Sequence, residues 1–81
     1  MTLQEFMRLT DFQKLEIAEK EVKAEIRMRK YVYGRKVLAG EMSREEMVFG
    51  VGVMEYILGV VVGAHDCAGA EAGEMLPFGQ Q

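Results

Sequence analysis

The sequence predicts an all-α protein in which a short N-terminal helix precedes an antiparallel helical hairpin. Apolar residues between residues 11 and 38 recur at steps of three, four and seven, which places them on one face of a helix. A threonine or serine three residues before a glutamate, the spacing of a capping box, opens both the first helix and the last. The loop between the two long helices spans about four residues, and so short a loop makes the helices antiparallel neighbours.

The first two helices begin at polar capping residues. Thr2 and Glu5 have the spacing of a capping box and predict a short helix through Leu9. Thr10 or Asp11 then provides the N-cap of a second helix, which extends to about residue 38. The apolar stripe of this helix comprises Leu15, Ala18, Val22, Ile26, Tyr33 and Val37.

Charge spacing supports the same second helix. Three acid–base pairs lie four residues apart with the acid first, and each stabilises a helix by about 0.2–0.5 kcal/mol. The pairs are Glu16–Lys20, Glu19–Lys23 and Glu25–Arg29. We therefore expect one continuous helix from about residue 11 to residue 38.

The last helix is predicted over about residues 44–64. Gly40 suits a left-handed C-cap of the preceding helix, and Ser43 with Glu46 forms the capping box. Valine and glycine are both poor helix formers, so a strand over residues 60–62 is an alternative. The capping box, the length and the hairpin context favour the helix.

Length and composition allow one domain. The 81 residues are 49% hydrophobic and 28% charged, as in a folded chain, and the net charge of −3 gives no positive field for nucleic acid. The single cysteine, Cys67, excludes an intramolecular disulfide and fits a reducing compartment. No apolar secretory segment is visible near the N-terminus, so we expect a cytoplasmic protein. The hairpin domain is expected over residues 1–64, followed by a Gly/Ala-rich tail over residues 65–81.

The last helix is apolar all round, because Glu55 is the only charged residue between Met47 and Ala64. Such a helix must be buried on all sides, and one partner helix covers only about half of it. We expect copies of the chain to cover the rest, so that the protein is a homo-oligomer. The predicted oligomer core comprises Met47, Val51, Met54, Leu58 and Val61. Small residues at Gly59 and Gly63 would let two helices approach closely.

Two other ways of covering this helix stay open. Residues 47–64 would reach about 27 Å as a helix, enough to cross a bilayer core, although Glu55 would then lie near its centre at a cost of roughly 2.5–3.5 kcal/mol. A permanent interface with a host protein is the other, and the sequence does not distinguish it from self-association.

Part of the chain resembles a known group of proteins. The residues are Arg29 to Val37 (RKYVYGRKV), Gly40 to Ser43 (GEMS) and Val53 to Leu58 (VMEYIL). Over about residues 25–58 they resemble small accessory proteins of phages and prophages, which share an Arg-rich Val-Tyr segment, Gly-x-Met-Ser/Thr and Met-Glu-x-Ile-Leu. This chain departs from that pattern at Gly34, Lys36 and Gly50, where Pro, Trp and Glu are usual. The resemblance implies a helical hairpin in a phage setting, hence in the host bacterial cytoplasm, and it implies no activity.

Two polar features are candidate sites. Glu55 is predicted to be a buried carboxylate held by Arg29, Arg35 or Tyr33 on the facing helix. The alternatives are a ligand or proton-linked site and exposure at a helix edge. Basic residues mixed with a tyrosine could bind a partner protein or an anion such as a nucleotide. This basic segment comprises Arg27, Arg29, Lys30, Tyr33, Arg35 and Lys36.

The sequence offers no catalytic constellation. His65, Asp66 and Cys67 are adjacent, whereas structural zinc normally takes four ligands at spaced positions, so we expect no metal and no cofactor. There is no second histidine for acid–base catalysis. We expect a non-catalytic phage-type protein that binds and inhibits a host factor, such as a defence system, as a homo-oligomer. The alternatives are a nucleotide or nucleic-acid binder using residues 27–36 and a small membrane protein spanning with residues 47–64.

Overall fold

The structure is a computed structural model that describes residues 1–73. Three helices follow one another in this range: α1 (Leu3–Met7), α2 (Asp11–Leu38) and α3 (Arg44–Gly73). Helices α2 and α3 pack against each other as the two arms of a hairpin. The all-α class and the helical hairpin are therefore confirmed, and residues 60–62 are helical rather than a strand.

Capping boxes begin α1 and α2. The Thr2 backbone N–H donates to Glu5 Oε1 at 2.7 Å, and the Glu5 N–H donates to Thr2 Oγ1 at 3.1 Å. Thr10 is the N-cap of α2 and makes the same reciprocal pair with Gln13. Each box satisfies two backbone donors that the first helical turn leaves without a partner.

The turn of the hairpin depends on one glycine. Gly40 has a φ of 76°, in the left-handed region that glycine adopts without a steric penalty. Its N–H donates to the carbonyl of Val37, and the Glu41 N–H donates to the carbonyl of Lys36, which is the Schellman pattern. Ser43 and Glu46 then exchange the two bonds of the predicted capping box. The chain thus reverses direction within five residues, from Ala39 to Ser43.

The core is a single seam between α2 and α3. Among the described residues only Ile26 and Val51 are buried, at 7% and 8% exposure. All six residues of the predicted α2 stripe are partly or fully buried. The structure measures 54 × 32 × 13 Å, and its smallest extent is close to the diameter of one helix, about 10–12 Å. Because the helices form one layer, each can bury only one side.

Two of the three predicted ion pairs on α2 form. Lys23 lies 2.9 Å from Glu19, and Arg29 lies 2.8 Å from Glu25. Within residues 1–73, no ion pair within 4.0 Å joins Glu16 to Lys20, both of which are exposed.

Helix α3 is longer than the sequence pattern predicts. Within the described residues it extends to Gly73, beyond the predicted end at about residue 64, so the first part of the predicted tail is helical. Alanine, the strongest helix former, recurs in this extension. The ring of Phe12 also packs on its backbone, since a Cβ on Gly69 would lie 3.1 Å from that ring. The rest of the predicted tail, residues 74–81, lies outside the described residues.

Candidate interaction surface

The inner side of α3 contains the residues that the sequence assigned to an oligomer core. Val51 is buried, and Met47, Met54, Leu58 and Val61 are partly buried in the single chain. They point towards α2, the one long helix that packs on α3. Within the chain these five residues are covered partly or fully by α2, and their role in contacts between subunits stays a prediction. The inner side of α3 thus packs on α2 within the chain, and the outer side of α3 remains exposed.

The outer side of α3 is apolar and exposed. Phe49 is 73% exposed, Tyr56 74% and Val60 55%, and Val48, Val53 and Ile57 are exposed as well. A Cβ built on Gly52, Gly59 or Gly63 would meet no atom within 4 Å. We call this side, from Phe49 to Cys67, the outer face of α3. Its large rings lie in the first half, and two of its three open glycine positions, Gly59 and Gly63, lie in the second.

The exposure of α3 is unusual for its hydropathy. Its most apolar stretch lies within Arg44–Gly69 and has a mean hydropathy of 2.0, yet only 6% of that stretch is buried. By length and composition this one helix of the described chain could cross a membrane. A core helix of a soluble protein with such a composition would be mostly buried. The apolar surface is therefore left without a cover in the single chain.

Arg29 anchors the polar part of the seam. Its Nε donates to Glu25 at 2.8 Å, and its Nη1 reaches across to the carbonyl of Gly50 at 3.0 Å. The guanidinium also lies over the Tyr33 ring, 5.9 Å from the centroid. The hydrogen bond that Arg29 donates to Glu25 raises the pKa of Arg29 above its ordinary value. The bond to Gly50 joins α2 to α3, and the three contacts together leave Arg29 engaged inside the hairpin.

Glu55 does not have the predicted environment. Its side chain is 55% exposed, and its partner is Lys30, at 3.6 Å, rather than Arg29, Arg35 or Tyr33. The prediction of a buried carboxylate is therefore wrong for the single chain. The residue lies at the edge of the seam, where a half-exposed ion pair contributes little to stability.

The basic segment is not gathered into one patch. Arg27 and Lys36 are nine residues apart and so lie on opposite sides of α2, since each residue turns the helix by about 100°. Arg29 and Lys30 are engaged by contacts to α3. Arg35 donates to the Tyr31 hydroxyl at 2.9 Å and lies over its ring. A shallow groove of about 440 Å³ runs beside Arg35 and Lys36, but Glu41 lines it too.

A polar cluster at the far end of the hairpin escaped the sequence analysis. His65 Nδ1 lies 3.0 Å from Glu19 Oε1, and Lys23 lies 2.9 Å from Glu19 Oε2. The ring of His65 also packs on Phe12, with centroids 4.7 Å apart. The hydrogen bonds from Lys23 and then His65 lower the pKa of Glu19 below its ordinary value. The clue in the sequence is that Glu19 lies beside the apolar stripe of α2, where a carboxylate needs a partner from the facing helix.

This cluster does not gather several ligand-type side chains. In residues 1–73 no group of three His, Cys, Asp or Glu side chains could hold a metal ion. Because a carboxylate only accepts, Nδ1 of His65 carries the proton in the bond to Glu19. Its Nε2 is shielded from solvent and has no protein partner among the described atoms. Cys67 is a free and exposed thiol on the outer side of the same helix.

Comparison with known proteins adds no family to this description. No protein-family model matches the chain, and neither the curated proteins nor the solved structures give a significant match.

Proposed function

We propose that this protein is a non-catalytic interaction hairpin that works as a homo-oligomer, with the outer face of α3 buried between subunits. The observation that carries the proposal is the exposure of Phe49, Tyr56 and Val60 on a helix whose most apolar stretch has a mean hydropathy of 2.0. Contiguous apolar surfaces of this kind on soluble proteins mark interaction sites. Copies of the chain are the partners always present at a matching concentration.

The amount of exposed surface fits such an interface. The accessible area is 5952 Å², which is about 1,000 Å² more than the ~4,900 Å² typical of a compact monomer of 9.1 kDa. A standard protein interface buries about 800 Å² on each partner. The accessible area of the chain thus exceeds that of a compact monomer by an amount of the order that one such interface buries.

The charged side of the hairpin is available for a different partner. Helix α2 exposes Arg27 and Lys36, and the N-terminal segment exposes Leu3 and Met7. In the oligomer these groups stay outside, because the subunits meet through α3. With the resemblance to small phage accessory proteins, this supports a role in binding and inhibiting a bacterial host factor from the host cytoplasm. A pull-down from bacterial lysate with the assembled protein tests that role, and retention of no host protein would count against it.

Light scattering on purified protein in detergent-free buffer tests the assembly. We expect a discrete oligomer for the wild type and a monomer with unchanged helix content for Tyr56→Asp, because the new carboxylate would be buried in the interface. Tyr31→Asp is the matched control, since Tyr31 is 65% exposed but lies on α2. It should leave the oligomer intact. A wild-type monomer in plain buffer would end the proposal.

A membrane role is the second candidate, favoured by the same hydropathy of α3. If α3 crossed a bilayer as part of this hairpin, α2 would accompany it, together with exposed charges such as Glu16, Lys20 and Arg27. Charged side chains at bilayer depth cost several kcal/mol each, on the order of 2.5–3.5. Spanning therefore requires the hairpin to open. Sedimentation with lipid vesicles, or a detergent requirement for solubility, would favour this candidate over the oligomer.

A further inference from the structure

The outer face of α3 has the spacing of a coiled-coil seam. Its residues follow one another at alternating steps of four and three, the repeat that keeps one stripe facing a partner helix. They are Phe49, Val53, Tyr56, Val60, Gly63 and Cys67. All six of these residues are exposed in the single chain. The pattern therefore runs along five successive helical turns without a charged residue.

The stripe that these six residues form on the outer face is uneven in side-chain volume. Its N-terminal half contains Phe49 and Tyr56, two large rings that point into solvent. Its C-terminal half contains Gly63 and Cys67, and Gly59 beside them. Neither Gly59 nor Gly63 has an atom within 4 Å of where a Cβ would lie. The N-terminal half of this stripe therefore has large side chains, and the C-terminal half leaves open space.

We propose that α3 pairs antiparallel with α3 of a second copy, so that the bulky half of the stripe on each outer face fills the open half of the stripe on the other. In this register Phe49 lies opposite Cys67 of the partner subunit, and Tyr56 lies opposite Val60 of the partner subunit. The inference rests on the proposed self-association and adds its direction and register. The result is a twofold-symmetric dimer with the two α3 helices at the centre.

The parallel arrangement fits the same surface poorly. It would place each large ring opposite its own copy and Gly63 opposite Gly63 of the partner subunit, which crowds one end and leaves unfilled space at the other. Both overpacking and cavities destabilise an apolar interface. The antiparallel arrangement pairs a large residue with a smaller one in each layer. It also places the positive N-terminal end of each helix dipole beside the negative C-terminal end of the other.

The single native cysteine makes the direction measurable. In the antiparallel register the two Cys67 residues are separated by 18 residues of helix, or about 27 Å, which is far beyond disulfide reach. Under mild oxidation we therefore expect no covalent dimer of the wild type. Phe49→Cys, which keeps Cys67, should give a covalent dimer because residues 49 and 67 of the two subunits meet. The double variant Phe49→Cys, Cys67→Ala should give none.

The opposite result is equally clear. A covalent wild-type dimer, together with crosslinking of the Phe49→Cys, Cys67→Ala variant, would show a parallel pair and overturn the inference. A non-covalent dimer by light scattering with no crosslink in any variant would overturn the register while leaving self-association intact. A wild-type monomer would remove both. Binding of the chain to vesicles as a monomer would make lipid the occupant of the face and would also overturn it.

A second pair guards against loss of the Phe49 ring weakening the dimer. In the same register Val53 of one subunit lies opposite Gly63 of the partner subunit. The triple variant Val53→Cys, Gly63→Cys, Cys67→Ala should therefore crosslink. The matched controls contain only one of the two new cysteines and should stay uncrosslinked. Crosslinking of either control alone would contradict the antiparallel register.

Discussion

The two long helices of the hairpin are nearly equal in length, at 28 and 30 residues, but they differ in what they leave exposed. Each buries one side in the same seam. Helix α2 turns Lys20, Arg27 and other charged residues to solvent, whereas α3 turns Phe49 and Tyr56. Because both inner sides are already used, the difference between the outer sides makes α3 the helix for which we propose a further partner.

The largest effect is expected from breaking the seam that the two helices share. Ile26→Ala removes one of the two side chains that are buried among the described residues, and it should lower the free energy of unfolding by about 2–5 kcal/mol. Urea denaturation followed by circular dichroism measures this change. Met28→Ala is the control on the same helix, because Met28 is half exposed and its truncation should change stability by less than about 0.5 kcal/mol. Equal losses in the two variants would mean that the seam is not the core.

Two glycines on α3 separate its inner side from its outer side. A Cβ on Gly50 would lie 2.8 Å from the Tyr33 ring, whereas a Cβ on Gly52 would meet nothing. Gly52→Ala should therefore stabilise the helix by about 0.5–1 kcal/mol through helix propensity. Gly50→Ala gains the same propensity but must displace the ring, and such overpacking costs about 1–3 kcal/mol.

The measurement for this glycine pair is the difference in unfolding free energy between the two alanine variants, with Gly50→Ala the less stable. Identical stabilities would show that the Tyr33 ring moves away freely, so that α2 and α3 are packed less tightly at this point than the structure indicates.

The smallest effect concerns pH and the far end of the seam. The pKa of Glu19 is lowered in the folded chain by Lys23 and His65, from an ordinary value of 4.5. A carboxyl with a lowered folded pKa stabilises the fold at pH values above 4.5, and this contribution is lost as the pH falls below 4.5. Glu19→Gln should therefore weaken the dependence of the urea midpoint on pH between about 6 and 3.

Glu16→Gln is the control for this measurement, because Glu16 is exposed and forms no ion pair within the described residues. It should leave the pH dependence close to that of the wild type. If both variants flatten the profile equally, the cluster around Glu19 does not link the two helices.

Local rules predicted most of the fold. The bounds of α2 and the turn at Gly40 follow from caps and apolar spacing, which act within a few residues. The same rules did not identify which side of α3 faces α2, because a helix that is apolar all round has no polar side to orient it. The contact of Val51 and Leu58 with α2 within the chain was therefore not predicted.

The polar contacts were harder to predict than the helices. Glu25 and Arg29 are neighbours on one helix, and their pairing follows from spacing alone. The bond between Glu19 and His65 joins residues 46 positions apart, and it depends on where α3 ends and how it is rotated. Glu55 was predicted to be buried because its sequence neighbours are apolar. Its exposure follows from its angular position on α3, which the sequence leaves undefined.

The two ends of α3 are fixed to α2 by different kinds of contact. Near its start, Gly50 lies beneath the Tyr33 ring and its carbonyl accepts from Arg29. Near its end, His65 is bound to Glu19 and packed on Phe12. A helix held at two points along its length cannot rotate about its own axis without breaking the contacts at one of these points. These contacts within the hairpin therefore set which side of α3 is exposed, and a substitution on the outer face leaves all of them in place.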